Sequence, residues 1–228
     1  MLLGRKIIGT IGIMSGIPSL PEPFSWSLLQ MSLYNSDYLC EQNEQIHYEK
    51  ATISFHAAAR NDLVNRMHGE WLLLLDTDHQ FDPDLAARML FCMNKYKIDV
   101  LTGIYTHKAE PHIPVIYRYE KGKGFNPLVV LKKNTSVFRI DSAGAGCLMI
   151  RRSVFNRIHN ELHEGPFDIT PPYGEDHSFF LRLRKLKIKA YCNPHIECKH
   201  LSWRSLSLSD LKENDLQLMK RNDIHGFK

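Results

Sequence analysis

The sequence predicts an α/β layer fold. Three observations carry this. Apolar, β-rich runs alternate with helical patterns along the chain. Trp71–Leu75 is a continuous apolar run, as a central strand buried on both faces requires. The chain has 228 residues, of which 43% are hydrophobic and 24% charged, so it can bury a full core and is not globally disordered.

Each element follows from its local pattern. Lys6–Met14 reads as a first strand, broken by the loop composition Ser15-Gly16-Ile17-Pro18. Phe24–Tyr34 has helical spacing, with Trp26, Leu29 and Leu33 on one face, the face expected to turn inward. A second strand is expected near Gln45–Glu49, then an alanine-rich helix over His56–Met67 and the central strand Trp71–Leu75. Asp82-Pro83 leads into a helix over Asp84–Tyr96, and Asp99–Tyr105 is a further strand. Periodicity weakens from Pro111 to Val137, where Lys121-Gly122-Lys123-Gly124 reads as a hairpin turn. Strands over Ser136–Ile140 and Cys147–Ile150 precede a short helix, Ser153–Leu162. Glu164–Tyr173 is loop, Glu175–Leu186 helix, and Ile188–Cys192 and Ile196–His200 strands. The expected organisation is one domain over residues 1–204 and a C-terminal helical tail over residues 205–228.

Composition narrows the function. No run approaches the roughly eighteen apolar residues of a membrane span, and the N-terminus lacks the apolar stretch of a signal peptide. The five cysteines, Cys40, Cys92, Cys147, Cys192 and Cys198, are odd in number, and three lie in apolar runs. They read as free thiols in a reducing, cytoplasmic compartment. The net charge of +4 is mild, but Phe180–Arg204 carries seven basic residues against one acid, Glu197. Such a run is either a solvated helix face or a contact for an anionic acceptor.

Three motifs carry chemistry. Leu72–Leu75 runs into Asp76-Thr77-Asp78, two acids at the end of a buried strand. Ligands of open α/β sheets bind outside the carboxyl ends of strands, and paired carboxylates there suit a divalent cation and, through it, a diphosphate. The same acids would also serve as a polar strand end capping the next helix. Tyr173-Gly174-Glu175-Asp176 opens a helix, where Asp176 is either an acid stabilised by the helix dipole or a general base. His200 ends a short strand, as a structural histidine or as a ligand for a Mn²⁺-like ion. His79, next to the paired acids, reads as a plain exposed histidine or as a contact to a bound ligand.

Taken in order, the strand with Asp76-Thr77-Asp78, the Gly144-Ala145-Gly146 segment before Leu148-Met149-Ile150-Arg151-Arg152, the Gly-Glu-Asp helix start and the strand-end His200 resemble the GT-A glycosyltransferases, particularly the family-2-like enzymes. The resemblance spans about Lys6 to His200. It implies a GT-A-like mixed, mostly parallel sheet, with a nucleotide-binding half followed by an acceptor half. It implies a metal-dependent glycosyltransferase that moves a sugar from a nucleoside-diphosphate sugar, with UDP favoured and Mn²⁺ or Mg²⁺ as cofactor. Carried over by residue, Asp76 lies nearer the ribose and joins the metal set, Thr77 lies between the two acids at the nucleotide sugar, and Asp78 and His200 hold the metal. Arg60, in Ala59-Arg60-Asn61, lies by the nucleotide or diphosphate. Thr10, Ile11 and Gly12 line the base pocket, and Gly144, Ala145 and Gly146 line the sugar pocket. Asp176 is the base of an inverting displacement, with Glu175 beside it. The chain departs from relatives in its first strand end, Ile11-Gly12-Ile13-Met14-Ser15, and in lacking the long C-terminal extension of polymerising members, which argues against processive synthesis. The implied acceptor is a hydroxyl, with a modified base in DNA as the first candidate and a glycan otherwise; Trp203 beside Arg204 would suit a stacked base.

Rival readings remain from other classes. Cys192, His195, Cys198 and His200 form C-x₂-H-x₂-C-x-H, the spacing of a zinc-stapled nucleic-acid-binding module, although Pro194 interrupts it. A nucleotide-sugar-binding protein without transfer would show the same donor motifs. A nucleotidyltransferase would carry a basic, glycine-rich loop after the first strand, which Ser15-Gly16-Ile17-Pro18 is not. No G-x-x-x-x-G-K-[ST] or G-x-S-x-G motif is present, which removes the P-loop and nucleophile-elbow chemistries.

Overall fold

The computed structural model describes residues 4–15, 19–51, 53–129, 136–202 and 205–206. The loop at Gly16–Pro18, the Trp203-Arg204 pair and the tail from residue 207 onward lie outside the described residues.

In chain order the elements are β1 (Lys6–Met14), α1 (Glu22–Cys40), β2 (Glu44–Ala51), α2 (His56–Arg66), β3 (Trp71–Asp76), β4 (His79–Gln80), α3 (Leu85–Tyr96), β5 (Val100–Ile104), β6 (Ile116–Glu120), β7 (Gly124–Pro127), β8 (Phe138–Ile140), β9 (Ser142–Ala143), β10 (Cys147–Arg151), α4 (Arg152–Leu162), α5 (Glu175–Lys185), β11 (Ala190–Glu197), β12 (Lys199–Leu201) and β13 (Ser205–Leu206). The central sheet has seven strands in the order β2-β1-β3-β10-β5-β11-β8. Within it β1 is parallel to β2 and β3, and β5 is parallel to β11, while β10 and β8 run against their neighbours. This is the mixed, mostly parallel sheet that the sequence predicts. Two further three-stranded sheets have the orders β13-β12-β4 and β7-β6-β9. The predicted hairpin turn joins β6 to β7, with Glu120 opposite Gly124.

The alternation along β3 explains the layering. Leu72 and Leu74 enter one core with Ala59 and Leu63 of α2, Phe155 and Ile158 of α4, and Phe179 and Phe180 of α5. Leu73 and Leu75 enter the other with Phe24 and Met31 of α1 and Met89 and Met93 of α3. Successive side chains of a strand point to opposite faces, so a four-leucine run needs helices on both sides.

The first helix corrects one expectation. Phe24, Ser27, Met31, Asn35 and Leu39 face inward. Trp26, Leu29 and Leu33 do share a face, but it is the outward one, each about half exposed. The buried stripe was hidden by its two polar members. Ser27 accepts a hydrogen bond from the Phe81 backbone at 3.2 Å, and Asn35 donates to the Tyr48 hydroxyl at 3.4 Å. Satisfied in this way, polar groups are tolerated in a core.

Candidate functional site

The parallel strands end at one edge of the sheet, and the polar residues gather there. Met14 of β1 is level with Asp76 of β3, and Ile104 of β5 is level with Glu197 of β11. The antiparallel β10 begins at the same edge, Cys147 lying opposite Leu75, so Gly144-Ala145-Gly146 enters beside Asp76. Past β3, Asp78, His79 and Gln80 turn into β4, which pairs with β12 so that His79 lies opposite His200. Edges of parallel strands are where open α/β sheets bind ligands.

Asp78 and His200 meet directly, His200 Nε2 lying 3.3 Å from Asp78 Oδ2. His200 Nδ1 donates to the Thr106 carbonyl at 2.7 Å, which turns Nε2 toward Asp78. Lys108 caps the same carboxylate oxygen at 2.5 Å. Asp78 Oδ1 is buried with no protein partner. Burial works to raise the Asp78 carboxyl, but the His200 hydrogen bond, the adjacent His79 and the Lys108 bond outweigh it and hold the group far below the usual carboxylate range. Among the described residues, Asp78, His79 and His200 form the group of His, Cys, Asp and Glu side chains able to hold a metal ion, one ligand atom from each lying within 4.8 Å of the others. An orphaned carboxylate oxygen beside imidazole nitrogens is a donor set that fits a divalent metal ion. Asp76, by contrast, stands outside this group.

Asp76 belongs to a second cluster. Arg60 is almost fully buried, and its guanidinium bridges Asp76 Oδ1, at 3.2 Å, and Glu175 Oε1. Burial opposes its charge, but the two carboxylates more than offset this, so it stays cationic. Arg60 thus ties the strand-end acids to the N-terminus of α5. Glu175 is held by Arg60, with His56 at 3.8 Å. Asp176 follows it, its Oδ1 accepting from the His177 backbone at 2.7 Å. Asp176 lies close enough to Tyr105, His107, Tyr117 and His177 to act on their ionisation. His177 bonds Ser142 at 2.7 Å and stacks on Phe125 at 4.6 Å, locking α5 to the β7-β6-β9 sheet.

Gly146 shows why a glycine segment stands here. A Cβ at Gly146 would lie 2.4 Å from His79 Cε1 and 2.8 Å from Asp76 Oδ2, and one at Gly144 would lie 2.1 Å from the Tyr105 hydroxyl. The Gly146 backbone also binds three site residues: its carbonyl accepts from Asp76 N and His79 Nδ1, and its N–H donates to Tyr105. Ala145 between them is buried, while Thr77 is half-buried in the turn.

Three expectations change. Thr10, Ile11 and Gly12, which the resemblance sets at the end of the first strand, lie inside it, the strand running to Met14 as its pattern predicts. Thr10 lies level with Leu72, four residues or about 13 Å short of the Asp76 level. Its hydroxyl is spent on the His68 backbone, at 2.8 Å and 2.7 Å. His79 is fully buried rather than exposed, because β12 covers it. The zinc spacing does not close: Cys192 lies in one core and Cys198 in the other, across the sheet, and His195 is exposed. Cys92, Cys147, Cys192 and Cys198 are buried free thiols, while Cys40 is exposed. The basic run is also divided. Arg182 is buried on Glu164 at 2.8 Å, and Lys185 joins the same acid at 3.1 Å.

Sequence reading missed Tyr105, His107, Lys108, Tyr117 and His177. The one available signal was the polar run Tyr105-Thr106-His107-Lys108 directly after an apolar strand.

Comparison with known proteins agrees with this arrangement. The family model described as glycosyl transferase family 2 matches residues 35–158, more than half of the chain. Curated proteins give no significant match. Among solved structures, A197 from STIV superposes with a TM-score of 0.55 at 17% identity, over 88% of this chain and 91% of that one. GalNAc-T7, solved with UDP, GalNAc and Mn²⁺, superposes with a TM-score of 0.58 at 11% identity, over 85% of this chain and 43% of that one. The chain therefore spans less than half of the GalNAc-T7 structure, and at such identities these two likenesses show a shared fold. No helix among the described residues is long and apolar enough to cross a membrane. With the fold, the strand-end acids and the family match in agreement, the chain belongs to glycosyl transferase family 2 and is a glycosyltransferase of the GT-A fold.

Proposed function

We propose that the enzyme transfers a sugar from a nucleoside-diphosphate sugar to an acceptor hydroxyl by a single inverting displacement, with Asp78 and His200 holding a divalent cation and Asp176 acting as base. The observation that carries the reading is the pairing of Asp78 with His200 at the sheet edge, at 3.3 Å, with an unpartnered carboxylate oxygen beside it. The cation would supply charge stabilisation for the departing diphosphate. Lys108, which lies on Asp78, is long enough to swing onto a phosphate. Arg60 orients Asp76 and Glu175 rather than offering a free guanidinium to the donor, since both of its terminal nitrogens are engaged. Asp76 retains one-third exposure and is the acid available to a ribose.

In the transfer step the acceptor oxygen bonds to the anomeric carbon as the bond from that carbon to the diphosphate oxygen breaks. The bonding pair leaves with the diphosphate, and the acceptor proton passes to Asp176. Glu175, committed to Arg60, positions the helix start and takes no proton. GalNAc-T7 was solved with UDP and Mn²⁺, which makes these the first probes. A saturating donor at about 100 times its Kd adds roughly 2.7 kcal/mol, a rise in Tm of about 5–11 °C for a chain of this size. A rise with UDP that requires Mn²⁺ and vanishes in EDTA supports the reading; no rise with any nucleoside diphosphate refutes it.

A DNA acceptor is a second reading, favoured by one observation. Arg139, Arg184, Lys187 and Lys189 line a cavity of about 360 Å³ at the far end of α5, with Asp141 among them. If DNA is the acceptor, its affinity falls steeply with salt; a flat salt response leaves a glycan hydroxyl.

A further inference from the structure

We propose that His79 is a third protein ligand of the cation held by Asp78 and His200, and that it biases the site away from Mg²⁺ toward Mn²⁺ and Co²⁺. This rests on the metal-dependent reading above. The backbone makes the first argument. His79 and His200 are direct partners in the antiparallel β4–β12 ladder, so their side chains project from the same face. Their ring centroids lie 4.8 Å apart, with the planes at 66°. One ligand atom from each of Asp78, His79 and His200 falls within 4.8 Å of the others. Donors on one ion with bonds of about 2.0–2.2 Å lie at most about 4.4 Å apart, so a contraction of a few tenths of an ångström closes the set.

The second argument is the hydrogen bonding. Both histidines are set alike. His79 Nδ1 lies 2.9 Å from the Gly146 carbonyl, as His200 Nδ1 lies 2.7 Å from that of Thr106. A carbonyl only accepts, so each Nδ1 is the donating nitrogen and each Nε2 is the atom turned toward a cation. This is how backbone carbonyls orient metal-bound imidazoles. His79 is completely buried, and its Nε2 has no protein partner, as is true of Asp78 Oδ1. Two orphaned acceptors on neighbouring residues, in a site shaped by the missing Cβ of Gly146, are atoms that a cation would satisfy together. Two imidazoles and one carboxylate match Mn²⁺ or Co²⁺ better than the all-oxygen preference of Mg²⁺.

The test is Mn²⁺ bound to the full chain, read by pulsed electron paramagnetic resonance for coupled imidazole nitrogens, with Mn²⁺ and Mg²⁺ titrated by calorimetry. Two imidazoles are expected in the wild type and one in His79→Gln, with Mn²⁺ affinity weakened about tenfold or more and Mg²⁺ affinity changed less. His79→Asn repeats the measurement with a shorter side chain, and metal-free melts check folding. A single imidazole in the wild type overturns the proposal whether or not the variants fold. Unchanged Mn²⁺ affinity in both variants also overturns it. If Asp78→Ala still loses Mn²⁺ in that case, the metal-dependent reading stands without His79; if the wild type binds no Mn²⁺, both fall.

Discussion

Replacing Arg60 with methionine tests the junction between Asp76, at the end of β3, and the start of α5. The substitution keeps the volume and removes a charge whose side chain is 4% exposed, with Asp76 and Glu175 at 33% and 17%. Removing one partner of a buried pair costs about 3–5 kcal/mol, because the other charge is stranded. Both carboxylates retain some solvent, so the expected loss sits at the lower end, about 3 kcal/mol. For a chain of this size that lowers Tm by about 6–12 °C. Adding Glu175→Gln neutralises the stranded acid and should recover part of the loss, a coupling of about 1–3 kcal/mol in a double-mutant cycle. Urea unfolding followed by circular dichroism at pH 7.5 measures all four proteins. An Arg60→Met protein within about 1 kcal/mol of wild type would refute the reasoning, as would strict additivity in the double variant.

Further outcomes follow from the same contacts. Asp176→Asn is expected to bind the donor normally and to lose about a hundredfold or more in turnover; normal turnover would remove the base assignment. Gly146→Ala is expected to lose about 1–3 kcal/mol and to weaken donor binding, since its Cβ meets His79 and Asp76, and calorimetry with UDP reads both. Lys108→Met is expected to tighten Mn²⁺ binding up to about fivefold by removing a competing cation from a half-exposed carboxylate. Burial lowers the His107 and His177 imidazoles, so the unfolded chain, near 6.5, binds more protons. Their contribution to stability is therefore full above about pH 6.5 and is lost as pH falls below it. His177→Gln should flatten the dependence of Tm on pH between about 5 and 7; an equally steep dependence would contradict the assignment.

What was legible in the sequence was what local periodicity encodes. Trp71–Leu75 announced a strand buried on both faces because its neighbours are helices on both sides. The position of Asp76-Thr77-Asp78 was legible because the apolar run stops at Leu75, which sets the acids at the strand end. The inward face of α1 was not, because Ser27 and Asn35 find partners on other segments, at Phe81 and Tyr48. The burial of His79 was not either. It depends on a two-residue strand, β4, pairing with β12 about 120 residues later, and no local pattern encodes that pairing. The first strand was legible to its last residue, Met14, but the resemblance set Thr10–Gly12 at its end, whereas pairing with β3 holds them inside it, in the core.

The measurement that tests the central claim most directly is calorimetric titration of UDP into wild-type and Asp78→Ala protein, each with Mn²⁺ and with EDTA. The account predicts binding by the wild type with Mn²⁺, and loss of that binding in EDTA or on substitution of Asp78. Equal affinity in EDTA, or in Asp78→Ala, would contradict a metal-dependent donor site at the end of β3.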